Sequence, residues 1–436
     1  MAIAAKARQP EWAGDPTSPS PSGRAIDSRS WPPVILLGGE GNTFSVARSL
    51  AMVGIKVYAI NHNYVSALRS KYLTRIDLPT RTRGVESWRD YLLSSASDHL
   101  KGSAVFCCSD EAIKLVIDNW RPLSARYLLE PAAPETRFRL LDKLLTYESA
   151  SACGIAHPKF WRLGAGQSLG EVIQTGQFPI ILKPRLSQHS RLIGAKYLRA
   201  NNAEELKRQY QRCVELSVPV VALEFIPGGD ERYCSYYTYI DEAGTPLFHF
   251  TKRLLRRHPT NEGGATYHIT DWNPEVAEKG LRLFRHVGLR GLGNVEFKRD
   301  ARDGELKLIE VNARYVNGNA LVTLSGIDQA LLSYAQLTGW PYAAPEKYRT
   351  GLVMWDPIPD FLAFRALHSR GELAFAQWIR QAARADITPL YDMRDPLPGL
   401  HSVMNLAVAA GRLLFKRSSY RGGDGEIPQL VGRIKP

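Results

Sequence analysis

The stretch Gly291–Leu321, GLGNVEFKRDARDGELKLIEVNARYVNGNAL, constrains the fold more than any other part of this 436-residue chain. Two alternating runs, Asn294–Arg299 and Leu306–Asn312, flank the segment ARDGEL, in which Gly304 supplies the backbone freedom for a tight return. The pattern reads as a β-hairpin. Glu310 and Asn312 are two positions apart and share a face, and the return brings Glu296 beside them. Two carboxylates and an amide oxygen on one face are hard oxygen ligands, of the kind that Mg²⁺ takes together with nucleotide phosphates. The same pattern also reads as a solvated hairpin with its polar residues outward.

A second constraint lies in FPIILKP, where Lys183 ends a short apolar strand. Lysine is rarely fully buried without a partner, so its ammonium has to reach a mouth or an anion, and phosphate oxygens would satisfy it. Farther on, VPVVALEFIPGGDE places Glu224 at the end of another apolar strand, before an irregular Pro-Gly segment and Glu231. Backbone leaving a sheet in this way offers its carbonyl and amide groups to an adenine edge, while an acidic side chain accepts from ribose hydroxyls. Between these segments and the hairpin lies FHFTKRLLRRHPTNEGGATYHIT, which clusters Lys252, Arg253, Arg256 and Arg257 before a Gly-rich loop. The planar guanidinium of Arg256 suits bidentate recognition of a carboxylate. A solvated basic strand edge is the other reading, above all for Arg253 and Arg257.

The N-terminal part has a different texture. PPVILLGGEGNTFSVARSLAMVGIKVYAI reads as strand, Gly-rich turn, helix and strand, with further strands at Ala104–Cys107 and near Tyr127–Glu130. These make a small parallel sheet covered by helices. The glycines of GGEGN invite a dinucleotide reading, but their spacing is not GxGxxG, and Asn61 and His62 stand where an acidic residue would end the second strand. A structural or substrate-side role is the other reading of this turn.

Length and composition bound the rest. A single core rarely exceeds about 250–300 residues, so two or three domains are expected: a tail at 1–30, a parallel βαβ domain at 31–132, a central domain at 133–342 and a mostly helical C-terminal region at 343–436. The first 30 residues carry Pro, Ser, Gly and Ala with few large aliphatic side chains, the composition of a disordered tail. There is no secretory h-region and no apolar run of the roughly 18 residues a span needs, which points to the cytoplasm. Five cysteines without a CxxC pair read as structural thiols, and ten histidines without HExxH spacing give no zinc signature. The net charge of +13 suits anionic partners. No nucleic-acid module signature accompanies it, so nucleic acid is not an expected partner.

Taken in order, these segments resemble the ATP-grasp superfamily from Pro33 to about Gly339, and within it the carboxylate–amine ligases, a group that includes amino-acid ligases. The resemblance implies an α/β (α+β) chain: a small parallel pre-ATP-grasp domain, an ATP-grasp nucleotide-binding fold and a C-terminal appendage. It implies ATP and Mg²⁺ as cofactors, with small-molecule carboxylate and amine substrates. Lys143 in DKLLTYESASACGIAHPKF and Lys183 stand where the two phosphate-binding lysines belong. LEFIPGGDE resembles the adenine and ribose segment, implying roles for Glu224, Phe225, Ile226 and Glu231. Glu296, Glu310 and Asn312 fall on the metal motifs, Arg314 on a position that contacts phosphate or the reacting carboxylate, and Lys252 near the transferred phosphate.

The mechanism so implied is formation of an acyl phosphate, attack on it by an amine, and release of ADP and phosphate, with a lid and the Gly263–Gly264 loop excluding water. The family's lid carries Gly and Ser after the strand lysine. Here RLSQHSRLIGAK has only Gly194, and Ser187, Ser190, Arg191 and Lys196 are the substitute donors. A nucleotide-binding sensor without turnover and a phosphoryl transferase are the rival functions. Finally, Leu400–Phe415 reads as a helix docked on the catalytic domain, with a peripheral membrane or protein contact through 400–421 as the alternative.

Overall fold

The structure, a computed structural model, describes residues 31–78, 84–164, 168–406 and 408. The tail at 1–30 and most of 400–421 beyond Leu406 lie outside the described residues.

The first sheet is parallel, with strands β1 (Val34–Leu37), β2 (Val57–Ile60), β3 (Thr74–Arg75), β4 (Ala104–Cys107) and β5 (Leu128–Leu129) in the order β3-β2-β1-β4-β5. All four residues of β1 and of β4 are buried, as expected of strands covered on both faces. One face packs on the helices Val85–Leu93 and Asp110–Asp118. The other shares a core with Tyr237, Phe250 and the helix Gln329–Thr338, so the N-terminal sheet is fused to the rest of the molecule through apolar side chains. The glycine turn after β1 is closely packed. A Cβ on Gly38 would lie 2.2 Å from Ser109 Oγ, and Gly38 has a φ of 72°, which only glycine adopts readily. Asn42, in the first turn of the helix Gly41–Met52, donates to the carbonyls of Cys108 (2.7 Å) and Tyr315 (2.9 Å), stitching three segments together.

A small antiparallel sheet follows. Its strands are β6 (Phe160–Trp161), β7 (Ile180–Pro184), β8 (Leu198–Ala200) and β9 (Val220–Glu224), in the order β6-β9-β7-β8. The larger antiparallel sheet contains β10 (Tyr233–Ile240), β11 (Phe250–His258), β12 (Gly264–Asp271), β13 (Gly291–Arg299), β14 (Leu306–Asn312) and β15 (Val353–Trp355), in the order β14-β13-β10-β11-β12-β15. Behind it the helices Lys143–Ala152 and Pro274–His286 bury Tyr147, Val276 and Phe284 against Tyr236, Val295 and Phe297. All eight residues of β10 are buried, which fits its central place between β11 and β13.

The C-terminal region is more than an appendage. Its first element, β15, is a strand of the large sheet, with Trp355 opposite Tyr267. The Pro-rich patch that follows opens the helix Pro357–Ser369, where proline at the first position costs no hydrogen bond. The last described helix, at 397–406, departs from expectation: His401 and Asn405 bond to Ser66 and Tyr64 of the parallel-sheet domain, not to the catalytic domain.

Candidate active site

The hairpin forms as its sequence demands. In β13 and β14, Glu296 stands directly opposite Glu310 and Asn294 opposite Asn312, so all four share one face. Asn312 Nδ2 donates to Asn294 Oδ1 at 3.3 Å. Asn294 was not singled out from sequence, although its position two residues before Glu296 carries the same period-two signal.

Around this pair the fold gathers cations. Lys183, at the end of β7, has Nζ 3.8 Å from Glu310 Oε2. Lys196, from the lid segment, reaches the same oxygen at 3.2 Å. Burial opposes ionisation of Glu310, yet Lys183, Lys196 and Lys143 outweigh it and hold the carboxyl well below the usual carboxylate range. Glu296 is met from β11 by Arg257, at 3.3 Å. Lys143 Nζ donates to Ser187 Oγ of the lid at 2.8 Å, and both line a narrow cavity with Asp110, Tyr147 and Glu310. Arg191 turns away to Glu111 at 3.1 Å, and Glu111 in turn lies 3.2 Å from His62 Nε2, so the lid is latched to the parallel-sheet domain.

Several of these cations are buried without a matching carboxylate. Lys143, Lys183, Lys252 and Lys298 are 8%, 5%, 5% and 1% exposed. Lys252 Nζ meets the ring nitrogen His268 Nδ1 at 2.7 Å. Lys298 Nζ donates to the Ile226 carbonyl at 2.9 Å and to Asn261 Oδ1 at 3.3 Å. The close partners of Lys143, Lys252 and Lys298 are therefore neutral, and the ion contact of Lys183 is long. Burial pushes Lys183 down to about 7 against the pull of Glu310, lowers Lys143, and brings Lys252 and Lys298 to about 8. His268, buried and facing Lys252 and Arg257, is held well below its usual range and is neutral. Its Nε2 is buried and has no protein partner. Desolvated ammonium groups with neutral partners are unfavourable unless an anion joins them. This surplus of positive charge lies beside a pair of carboxylates.

Two expected roles need correction. Arg256 is turned from the carboxylates and closed into a bidentate pair with Asp360, at 2.8 and 2.9 Å. The cause is a register irregularity in β11 around Arg256. Strict alternation from Lys252 puts Arg256 on the site face, but the irregularity shifts the phase and Arg257 takes that place. The Glu224 carboxylate is also engaged, by Lys159 N–H at 3.1 Å and by Arg302 and Lys307, which leaves only backbone there to meet a ligand. Phe225 lies beneath Arg199 and Lys298, at 4.6 and 5.6 Å from its ring centre. Glu231 is exposed, whereas its neighbour Asp230 is buried and accepts from the backbone of Arg257 (3.1 Å) and Asn261 (2.9 Å), fastening the β11–β12 turn. Arg314 pairs with Asp110 at the start of the helix Asp110–Asp118.

The donor set fits a hard divalent cation. Among the described residues no three His, Cys, Asp or Glu side chains form a complete cage. Two facing carboxylates and the amide oxygen of Asn312 instead make a partial site that phosphate oxygens would complete, as Mg²⁺ prefers.

Known proteins share this fold and parts of this sequence. A family model for the carbamoyl-phosphate synthase L chain, ATP binding domain, matches residues 270–334, which span β13 and β14. The chain is 24% identical over 318 residues to a D-aspartate ligase of Enterococcus faecium, covering 68% of this chain and 74% of that protein. It is 27% identical over 186 residues to a D-alanine–D-alanine ligase of Xanthomonas axonopodis pv. citri, covering 39% and 55%. The fold matches N5-carboxyaminoimidazole synthetase from Staphylococcus aureus, solved with ADP, at a TM-score of 0.58 and 16% identity over 78% of this chain and 86% of that one. With its parallel N-terminal sheet and its two antiparallel sheets, the chain is similar in fold, and over these stretches in sequence, to members of the ATP-grasp superfamily.

Proposed function

We propose that this protein is an ATP-dependent carboxylate–amine ligase that forms an amide through an acyl phosphate. The observation that carries the reading is the set of buried, under-neutralised lysines beside the Glu296–Glu310 pair, an arrangement that an anionic polyphosphate and a divalent cation would complete. Lys143, Lys183 and Lys196 bind the phosphates from the small sheet and the lid, and Lys252 binds the transferred group from β11. Glu296, Glu310 and Asn312 hold Mg²⁺, which when bound supplies charge neutralisation for the phosphate oxygens. Adenine lies along the backbone of residues 224–226 against Phe225, and Glu231 accepts from the ribose. The chain divides for this purpose into the segments 31–132, 133–342 and 343–436, and works in the cytoplasm.

A carboxylate oxygen of the first substrate attacks the γ-phosphorus, the bond to the β-phosphate oxygen breaks, and ADP departs. Arg257, on the site face of β11, orients that carboxylate in place of Arg256. The amine then attacks the acyl carbon, phosphate leaves, and the amine gives up a proton. Arg314, paired with Asp110 of the Lys143 cavity, holds the segment after β14 to the parallel-sheet domain and contacts phosphate or the reacting carboxylate. The lid latch through Arg191, Glu111 and His62, together with the Gly263–Gly264 loop, keeps water from the acyl phosphate. Amino acids are the substrate class we favour, because both curated relatives are named as amino-acid ligases.

The test is ADP release with Mg-ATP across pairs of amino acids, followed by mass analysis for an amide. Hydroxylamine in place of the amine would trap the acyl phosphate as a hydroxamate. Bound ATP without turnover on any pair would favour a sensor, and a stable phosphorylated product formed without amine would favour a phosphoryl transferase.

A further inference from the structure

The helix at 397–406 meets the parallel-sheet domain with its polar side. His401 Nδ1 lies 3.2 Å from Ser66 Oγ, and Asn405 Nδ2 donates to the Tyr64 carbonyl at 3.2 Å. The apolar side faces water instead: Leu397, Leu400 and Met404 are 56%, 57% and 64% exposed, and Val408, next along the same line, is 53% exposed. Spacings of three, four and four residues keep these positions on one stripe of a helix. Met393, just ahead of the helix, is 94% exposed. Each large aliphatic side chain left in water forgoes about 1.5–3 kcal/mol of burial, and a contiguous stripe marks a contact surface more than scattered residues do.

The exposed charge around the stripe is mainly basic. Arg69, Lys71 and Arg394 are exposed beside it. The two acids of that turn are occupied, Asp392 by Arg48, and Asp395 by the Ser70 hydroxyl and the Lys71 backbone. The sequence that follows, AAGRLLFKRSSYR at 409–421, adds Arg412, Lys416, Arg417 and Arg421 with no acidic residue. An apolar stripe within a net basic surround is complementary to a layer whose interior is apolar and whose face is anionic.

We propose that this helix docks the protein on an anionic lipid surface, with Leu397, Leu400, Met404 and Val408 below the headgroups and Arg69, Lys71 and Arg394 at phosphate level. The inference is independent of the ligase reading. Full-length protein is floated with vesicles of phosphatidylcholine alone and of phosphatidylcholine mixed with phosphatidylglycerol. It rises with the anionic vesicles and much less with the neutral ones, and added salt weakens the association. The L400E/M404E variant loses vesicle binding by about tenfold or more while keeping its thermal midpoint, because both side chains stand in water. If that midpoint falls, the single Met404→Glu change at the most exposed helical position replaces it. The proposal is overturned if the parent stays with neither vesicle, if parent and variant float equally, or if light scattering shows a dimer that L400E/M404E dissociates without any lipid binding.

Discussion

Arg256 and Arg257 are adjacent in β11 and almost equally buried, at 4% and 3% exposed, yet they belong to opposite kinds of site. Arg256 lies in a closed cluster. Asp360, with no exposed surface, accepts from two of its guanidinium nitrogens, from Thr266 Oγ1, and from the indole nitrogens of Trp355 and Trp378. Donors and acceptors balance there, and nothing is left to bind. Arg257 lies in an open cluster, where Lys183, Lys252 and Lys298 are buried with too little negative charge. Burial and a guanidinium do not by themselves distinguish structure from chemistry; the balance of partners does.

The contrast is tested most severely by Asp360→Asn. This change leaves Arg256 buried beside a neutral partner and should cost about 3–5 kcal/mol of stability, read as a lower urea midpoint. A variant as stable as the parent would mean that the closed cluster is not structural. Glu310→Gln probes the open cluster and should cut turnover by roughly two to three orders of magnitude in a chain that still folds, with a lower melt because Lys183 and Lys196 lose their counter-charge. Paired with Glu296→Gln it should be non-additive, since both act on one cation; simple additivity in ADP-release assays would separate the two residues.

Lys183→Ala should weaken nucleotide binding by about 1.5–3 kcal/mol and not unfold the chain. Removing a desolvated ammonium should leave the apo melt equal or higher, and an undiminished ATP-induced shift would remove Lys183 from the phosphate site. The smallest effect concerns protons. Lys183 at about 7 and Lys252 at about 8 are partly deprotonated at pH 8, and bound phosphates favour their charged forms. ATP binding in EDTA should therefore take up protons, seen as a calorimetric enthalpy that varies with buffer ionisation. The same depression makes the apo protein gain stability as pH rises from 7 toward the unfolded lysine value, because the unfolded chain binds more protons over that window.

Local pattern carried much of this into the sequence. Period two placed Glu310 and Asn312 on one face, and Gly304 returned the chain so that Glu296 came opposite. An apolar strand ending in lysine marked Lys183. What local pattern does not carry is phase and distant pairing. The irregularity in β11 exchanged Arg256 for Arg257, and nothing near Arg256 names Asp360, 104 positions away. His268 reaches Lys252 only through the β11–β12 register. Asp230 and Glu231 look alike in sequence, and only the folded turn buries one and exposes the other.

The edge strand β15 has a consequence for synthesis. Chains emerge from the ribosome N-terminus first, so every strand that bears a proposed ligand is made before Val353–Trp355. Until that segment emerges, β12 presents an open row of amide and carbonyl groups, and Arg256 waits for a counter-ion still inside the tunnel. An unpaired edge of this kind invites pairing with another nascent chain. Translation pauses before residue 353 should therefore promote aggregation, whereas pauses after Asp360 has cleared the exit should be harmless.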